Sequence, residues 1–162
     1  MRCAMTVIDL TEKIDDIRDR YGLRYWASDE ARQEMIALWG NPPCNDCGVF
    51  ERDETIRIAP DGQKSCYGEL RIAVAPNGWH AVSTSYWYGQ GGGGSSPSVW
   101  NRVAYTTRHE AVAAGIASLV EKFDGIRDQT EGSVPTSQPA DAERMLKALK
   151  DYTAQARQMT LF

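Results

Sequence analysis

The chain has 162 residues, the length of one ordinary domain with room for an appended tail, and its 42% hydrophobic and 25% charged residues exclude a disordered composition. A net charge of −4 excludes the broad basic face that non-specific nucleic-acid binding requires. No apolar run reaches the roughly 20 residues of a membrane helix, residues 1–10 lack a signal-peptide block, and the 4 cysteines are too unevenly spaced for a secreted disulfide framework, so a cytoplasmic protein without a membrane partner is expected.

Val7, Leu10, Ile14, Ile17 and Tyr21 recur at helical spacing with charges between them and predict an amphipathic helix ended by Gly22. Ser28 is placed to cap a second helix, whose apolar face is Ala31, Met35, Leu38 and Trp39 and which closes at Gly40. Residues 55–59 read as a strand followed by an Asp61-Gly62 turn. Leu70, Ile72 and Val74 alternate with Glu69, Arg71 and Ala73 as in a half-buried strand, and Pro76-Asn77-Gly78 turns the chain into an aromatic strand over residues 79–88. Four successive glycines within residues 89–98 predict a mobile loop, and residues 101–106 a short strand.

Thr107-Arg108-His109-Glu110 forms a capping box before a helix with the stripe Val112, Ile116, Leu119, Val120 and Phe123, stopped at Asp124-Gly125. Residues 129–139 hold almost no apolar side chain and read as a linker; Ala142, Met145, Leu146, Leu149 and Tyr152 then mark a last helix. The expected organisation is an α+β domain over 1–125, a linker over 126–139, a C-terminal helix over 140–157 and a tail over 158–162. The fold expected is an antiparallel sheet of three to four strands with helices packed on one face.

Three groups carry candidate chemistry. Cys44 and Cys47 flank Asn45-Asp46 in a Pro-Cys-x-x-Cys-Gly segment shaped like a zinc knuckle, with Cys66 and His80 as further ligands and Cys3 as an alternative. A second Cys-x-x-Cys pair is missing, and the same thiols also suit a redox pair or small buried side chains. Trp79, Trp87 and Trp100, with Arg102, could stack the bases of single-stranded DNA or anchor a protein, or could simply pack the core. His80 and His109 are the only histidines, and no paired carboxylates accompany them, which points to a binding protein rather than an enzyme.

Gln158-Met159-Thr160-Leu161-Phe162 resembles the docking peptide of the bacterial DNA sliding clamp, a Gln, an aliphatic residue, Ser or Asp, then Leu-Phe. The resemblance covers five residues and leaves the fold of the body open. It implies that Gln158 bonds at a pocket rim while Met159, Leu161 and Phe162 supply apolar contact. The other reading of Leu161 and Phe162 is that they fold back onto the protein's own core. The resemblance implies a non-enzymatic accessory protein of a phage, plasmid or other mobile genetic element, recruited to the clamp and binding DNA or a protein through its body. Two further readings are an inhibitor of a host defence system, of anti-CRISPR or anti-restriction type, and a clamp-localised metal-dependent nuclease or DNA-modifying enzyme.

Overall fold

The computed structural model describes residues 6–60, 65–130, 132, 134–135 and 137–159. The Asp61-Gly62 turn, Cys3, Thr160, Leu161 and Phe162 lie outside the described residues. The elements follow as β1 (Val7–Asp9), α1 (Thr11–Tyr21), one 3-10 turn (Tyr25–Ala27), α2 (Asp29–Leu38), β2 (Glu54–Ile58), β3 (Tyr67–Val74), β4 (His80–Trp87), β5 (Gly92–Gly94), β6 (Val103–Tyr105), α3 (Arg108–Arg127) and α4 (Gln138–Met159). The fold is α+β, with an antiparallel sheet of six strands in the order β1-β6-β4-β3-β2 and β5 added on β4. Among the described residues no helix is long and apolar enough to cross a membrane.

The sheet has more strands than expected because two of them are only three residues long: β1 is too short to show a period of its own, and β5 is all glycine. Val7 belongs to β1 rather than to the first helix, and its strand pairs antiparallel with β6 (Val7 with Tyr105, Ile8 with Ala104). The helix starts later because the Asp9 carboxylate accepts the Thr11 amide at 2.9 Å, a local turn that supplies one helix-end donor with its acceptor. The glycine run is not a mobile loop: Ser85, Tyr86 and Trp87 pair with Gly94, Gly93 and Gly92. The helix after the capping box does not stop at Gly125 but runs on to Arg127.

By its contacts the chain divides into two compact units. The first comprises the N-terminal segment through Glu54, Arg71–Ser83 and Ser96–Ala114; the second comprises Thr55–Leu70, Thr84–Ser95 and the chain from Gly115 onward.

Trp39, fully buried, stands at the centre of the first unit. Phe50 and Trp79 meet its ring edge-on, each at 5.4 Å between centroids, and its indole N–H donates to the Val99 carbonyl at 3.1 Å. Leu10, Ile14 and Ile17 of α1 and Ala31 and Met35 of α2 complete this core. The Ser28 hydroxyl caps α2 as its sequence predicts, accepting the Ala31 amide at 3.2 Å. Charged side chains tie α1 to α2 on the outside: Arg20 reaches Glu34 at 2.7 Å and Asp16 at 2.9 Å.

In the second unit, Leu119 and Phe123 of α3 and Ala142, Met145 and Leu149 of α4 are fully buried. They form the apolar side of each helix at spacings of three and four. Gln138 is 3% exposed, and its amide donates to the Ile126 carbonyl at 3.1 Å and to the Gln129 side chain at 3.0 Å. A carbonyl near the end of α3 thereby gains a partner, and Gln129 is joined to the first turn of α4.

Candidate functional site

The last buried position of α4 is Leu149; after half-buried Tyr152, Thr153 and Ala156 its end turns to solvent. The helix outruns its expected end at residue 157, so Gln158 and Met159 are helical and exposed, Met159 at 80%. These are the first two positions of the clamp-like peptide. The last turn of any helix leaves carbonyls without intrahelical partners, so unwinding it costs little. Arg157 lies in that turn, where a cation favours the negative end of the helix.

The tryptophans named from the sequence are engaged differently within their own units. Trp79 is half-buried against Trp39, and Trp100 meets Tyr25 at 5.1 Å while its indole N–H donates to the Cys47 carbonyl at 3.1 Å. Arg102 is held by Asp15 at 3.0 Å. Trp87, in the second unit, stays 41% exposed. The near-parallel aromatic pair is Tyr86, in β4, and Tyr88, just beyond its end. Their ring planes differ by 10° and their centroids are 6.3 Å apart. With Lys122, Ile126, Gln129 and Thr130 they line an open cleft of about 540 Å³. The sequence signal for this cleft was the period-2 alternation itself, which separates Tyr86 and Tyr88 from Trp87.

The Cys44–Cys47 segment folds around Asn45. Its side-chain oxygen accepts the amides of Cys47 at 2.9 Å and Val49 at 3.0 Å, and the Gly48 amide donates to the Asn45 carbonyl at 2.9 Å. Amides that a zinc knuckle would turn towards sulfur are therefore spent on an Asn-centred turn. Gly48 is required there, since its φ is +82° and a Cβ would sit 2.8 Å from a Val99 methyl. Arg32 braces the turn through the Asp46 carbonyl. Burial and the nearby Glu51 carboxylate raise the Cys44 pKa, and burial pushes Cys66 up to about 11, so both rest as thiols rather than nucleophilic thiolates. Cys66 donates to the Asp141 carbonyl at 3.8 Å. His80, at the start of β4, keeps Nδ1 buried without a hydrogen-bond partner among the described residues. Among the described residues no three His, Cys, Asp or Glu side chains stand together as metal ligands.

Compared with protein-family models, with curated proteins and with solved structures, the chain matches none.

Proposed function

We propose that this chain is a non-enzymatic accessory protein that docks on the bacterial DNA sliding clamp through residues 158–162. The observation that supports this reading is the exposure of Gln158 and Met159 beyond the last buried position of α4. The helix spends Ala142, Met145 and Leu149 on its own unit, while Gln158 and Met159 at its end are left to solvent. Burying one Leu and one Phe contributes roughly 3–6 kcal/mol gross, and ordering the peptide and lost translational freedom offset much of it, so micromolar affinity is expected.

The test titrates the full chain against immobilised clamp beside the double variant Leu161→Ala and Phe162→Ala. Wild type should bind with a micromolar Kd, and the double variant at least about tenfold more weakly. Equal, weak binding of the two proteins rejects clamp recruitment.

A further inference from the structure

The cleft of the second unit is lined by Tyr86, Tyr88, Lys122, Ile126, Gln129 and Thr130 and involves none of residues 158–162. Carbon faces in contact lie about 3.5–4.0 Å apart. The near-parallel rings of Tyr86 and Tyr88, with centroids 6.3 Å apart, are farther from one another than two rings in full face-to-face contact. Both rings are held in place. Buried Phe123 meets Tyr86 at 6.0 Å and 76°, and the glycine hairpin is moulded on the tyrosines. A Cβ on Gly93 would lie 3.3 Å from the Tyr86 ring, and one on Gly91 would lie 3.1 Å from the Tyr88 hydroxyl. Ring orientation is thus set before any ligand arrives, which lowers the entropy cost of binding.

The remaining lining supplies what a base and its phosphate require. Ile126 adds an apolar wall, and the Thr130 hydroxyl can donate to and accept from a ring edge. Arg127 engages the acidic neighbours, Asp124 at 3.0 Å and Asp128 at 2.9 Å. Lys122 is exposed at the rim and has no acidic partner among the described residues. The volume of about 540 Å³ falls in the range, about 300–1,000 Å³, of small-ligand sites. A flat ring with a polar edge and an anionic tail satisfies all of these groups together.

We propose that this cleft stacks a nucleobase on Tyr88 and Tyr86 and takes its phosphate on Lys122. The base comes from a free nucleotide or from single-stranded DNA; in a duplex its faces are already stacked.

Fluorescence anisotropy of a labelled oligothymidylate with the full chain at low salt tests this, with thymidine monophosphate and duplex DNA as competitors. Saturable binding is expected, with no competition by the duplex. Displacement by thymidine monophosphate identifies a mononucleotide site; resistance to it identifies a single-strand site. Tyr88→Ala should weaken binding about five- to hundredfold, the range for loss of one stacked base, whereas Tyr88→Phe should bind as wild type does. Lys122→Glu, an exposed change that spares the fold, should weaken binding and shrink the salt dependence by about one phosphate contact. The proposal is overturned if neither probe binds, if Lys122→Glu binds as wild type does, or if Trp87→Ala abolishes binding and Tyr88→Ala does not. The Leu161→Ala and Phe162→Ala variant should bind the oligonucleotide unchanged, which separates this site from clamp docking.

Discussion

Trp39 has no exposed surface, and every part of its side chain is committed: the ring to Phe50 and Trp79, the N–H to Val99. Trp39→Ala would leave a large cavity and an orphaned carbonyl, and should lower unfolding stability by about 3–5 kcal/mol. Trp39→Phe keeps an aromatic ring but removes the donor to a buried acceptor, and should cost less, about 1–3 kcal/mol. Urea denaturation followed by far-UV circular dichroism reads both. Equal losses for Phe and Ala would show that the hydrogen bond to Val99, not the ring volume, dominates. That Trp39 faces inward was legible from helical spacing alone. Its partners Trp79 and Val99 were not, because they are brought in from strands and loops far along the chain. The same distance explains why Trp79 and Trp100 looked available from the sequence: their contacts with Trp39 and with Cys47 leave no local trace.

Local chemistry was readable at the level of elements, and long-range pairing was not. The Ser28 and Thr107 caps and the Asn77-Gly78 turn each act within four residues, and each is found: Thr107 Oγ1 accepts the Glu110 amide at 3.2 Å, and Asn77 Oδ1 accepts the Trp79 amide at 3.0 Å. Only half of the expected capping box closes within the box, since the Glu110 carboxylate turns to the Thr6 amide at 3.2 Å and the Thr106 hydroxyl at 3.0 Å. The strand β5 shows why composition misleads. Glycine favours disorder when nothing fills its space, but here a Cβ on Gly92 would collide with the Tyr86 carbonyl, and one on Gly94 with the Ser85 side chain. The run is therefore a steric requirement of the β4–β5 hairpin. Gly92→Ala should push β5 off β4 and speed hydrogen exchange at the Tyr88 and Ser95 amides, which bond to Gly91 at 3.0 Å and Thr84 at 3.2 Å. Stability should fall by about 1–3 kcal/mol. Unchanged exchange at both amides would restore the mobile-loop reading.

Across the whole molecule, protonation sets a stability window. Asp9, Glu34, Glu54 and Glu110 in the first unit, and Asp128 in the second, all have pKa values below their ordinary range. Glu34 is shifted furthest, from 4.5 to about 2, because Arg20 donates hydrogen bonds to its carboxylate. A carboxylate with a depressed folded pKa binds fewer protons than it does in the unfolded chain, so its contribution is complete above pH 4.5 and disappears as pH falls to about 2. At the alkaline end the raised Cys66 thiol acts in the opposite sense: its contribution is complete below pH 9.0 and is lost as pH rises through about 11. Stability should therefore be greatest between these limits. The acid loss should fall mainly on the first unit, which also carries Trp26, Trp39, Trp79 and Trp100, four of the five tryptophans. Tryptophan emission is thus the appropriate probe: the thermal midpoint it reports should decline steadily between pH 4.5 and about 2. Glu34→Gln should lower the neutral-pH stability by on the order of 1 kcal/mol, a value set by solvent screening of the partly exposed pair, and should flatten the acid decline. If the variant and the wild type decline in parallel, the carboxylates other than Glu34 govern acid unfolding, and the Arg20–Glu34 link between α1 and α2 contributes nothing measurable to the fold.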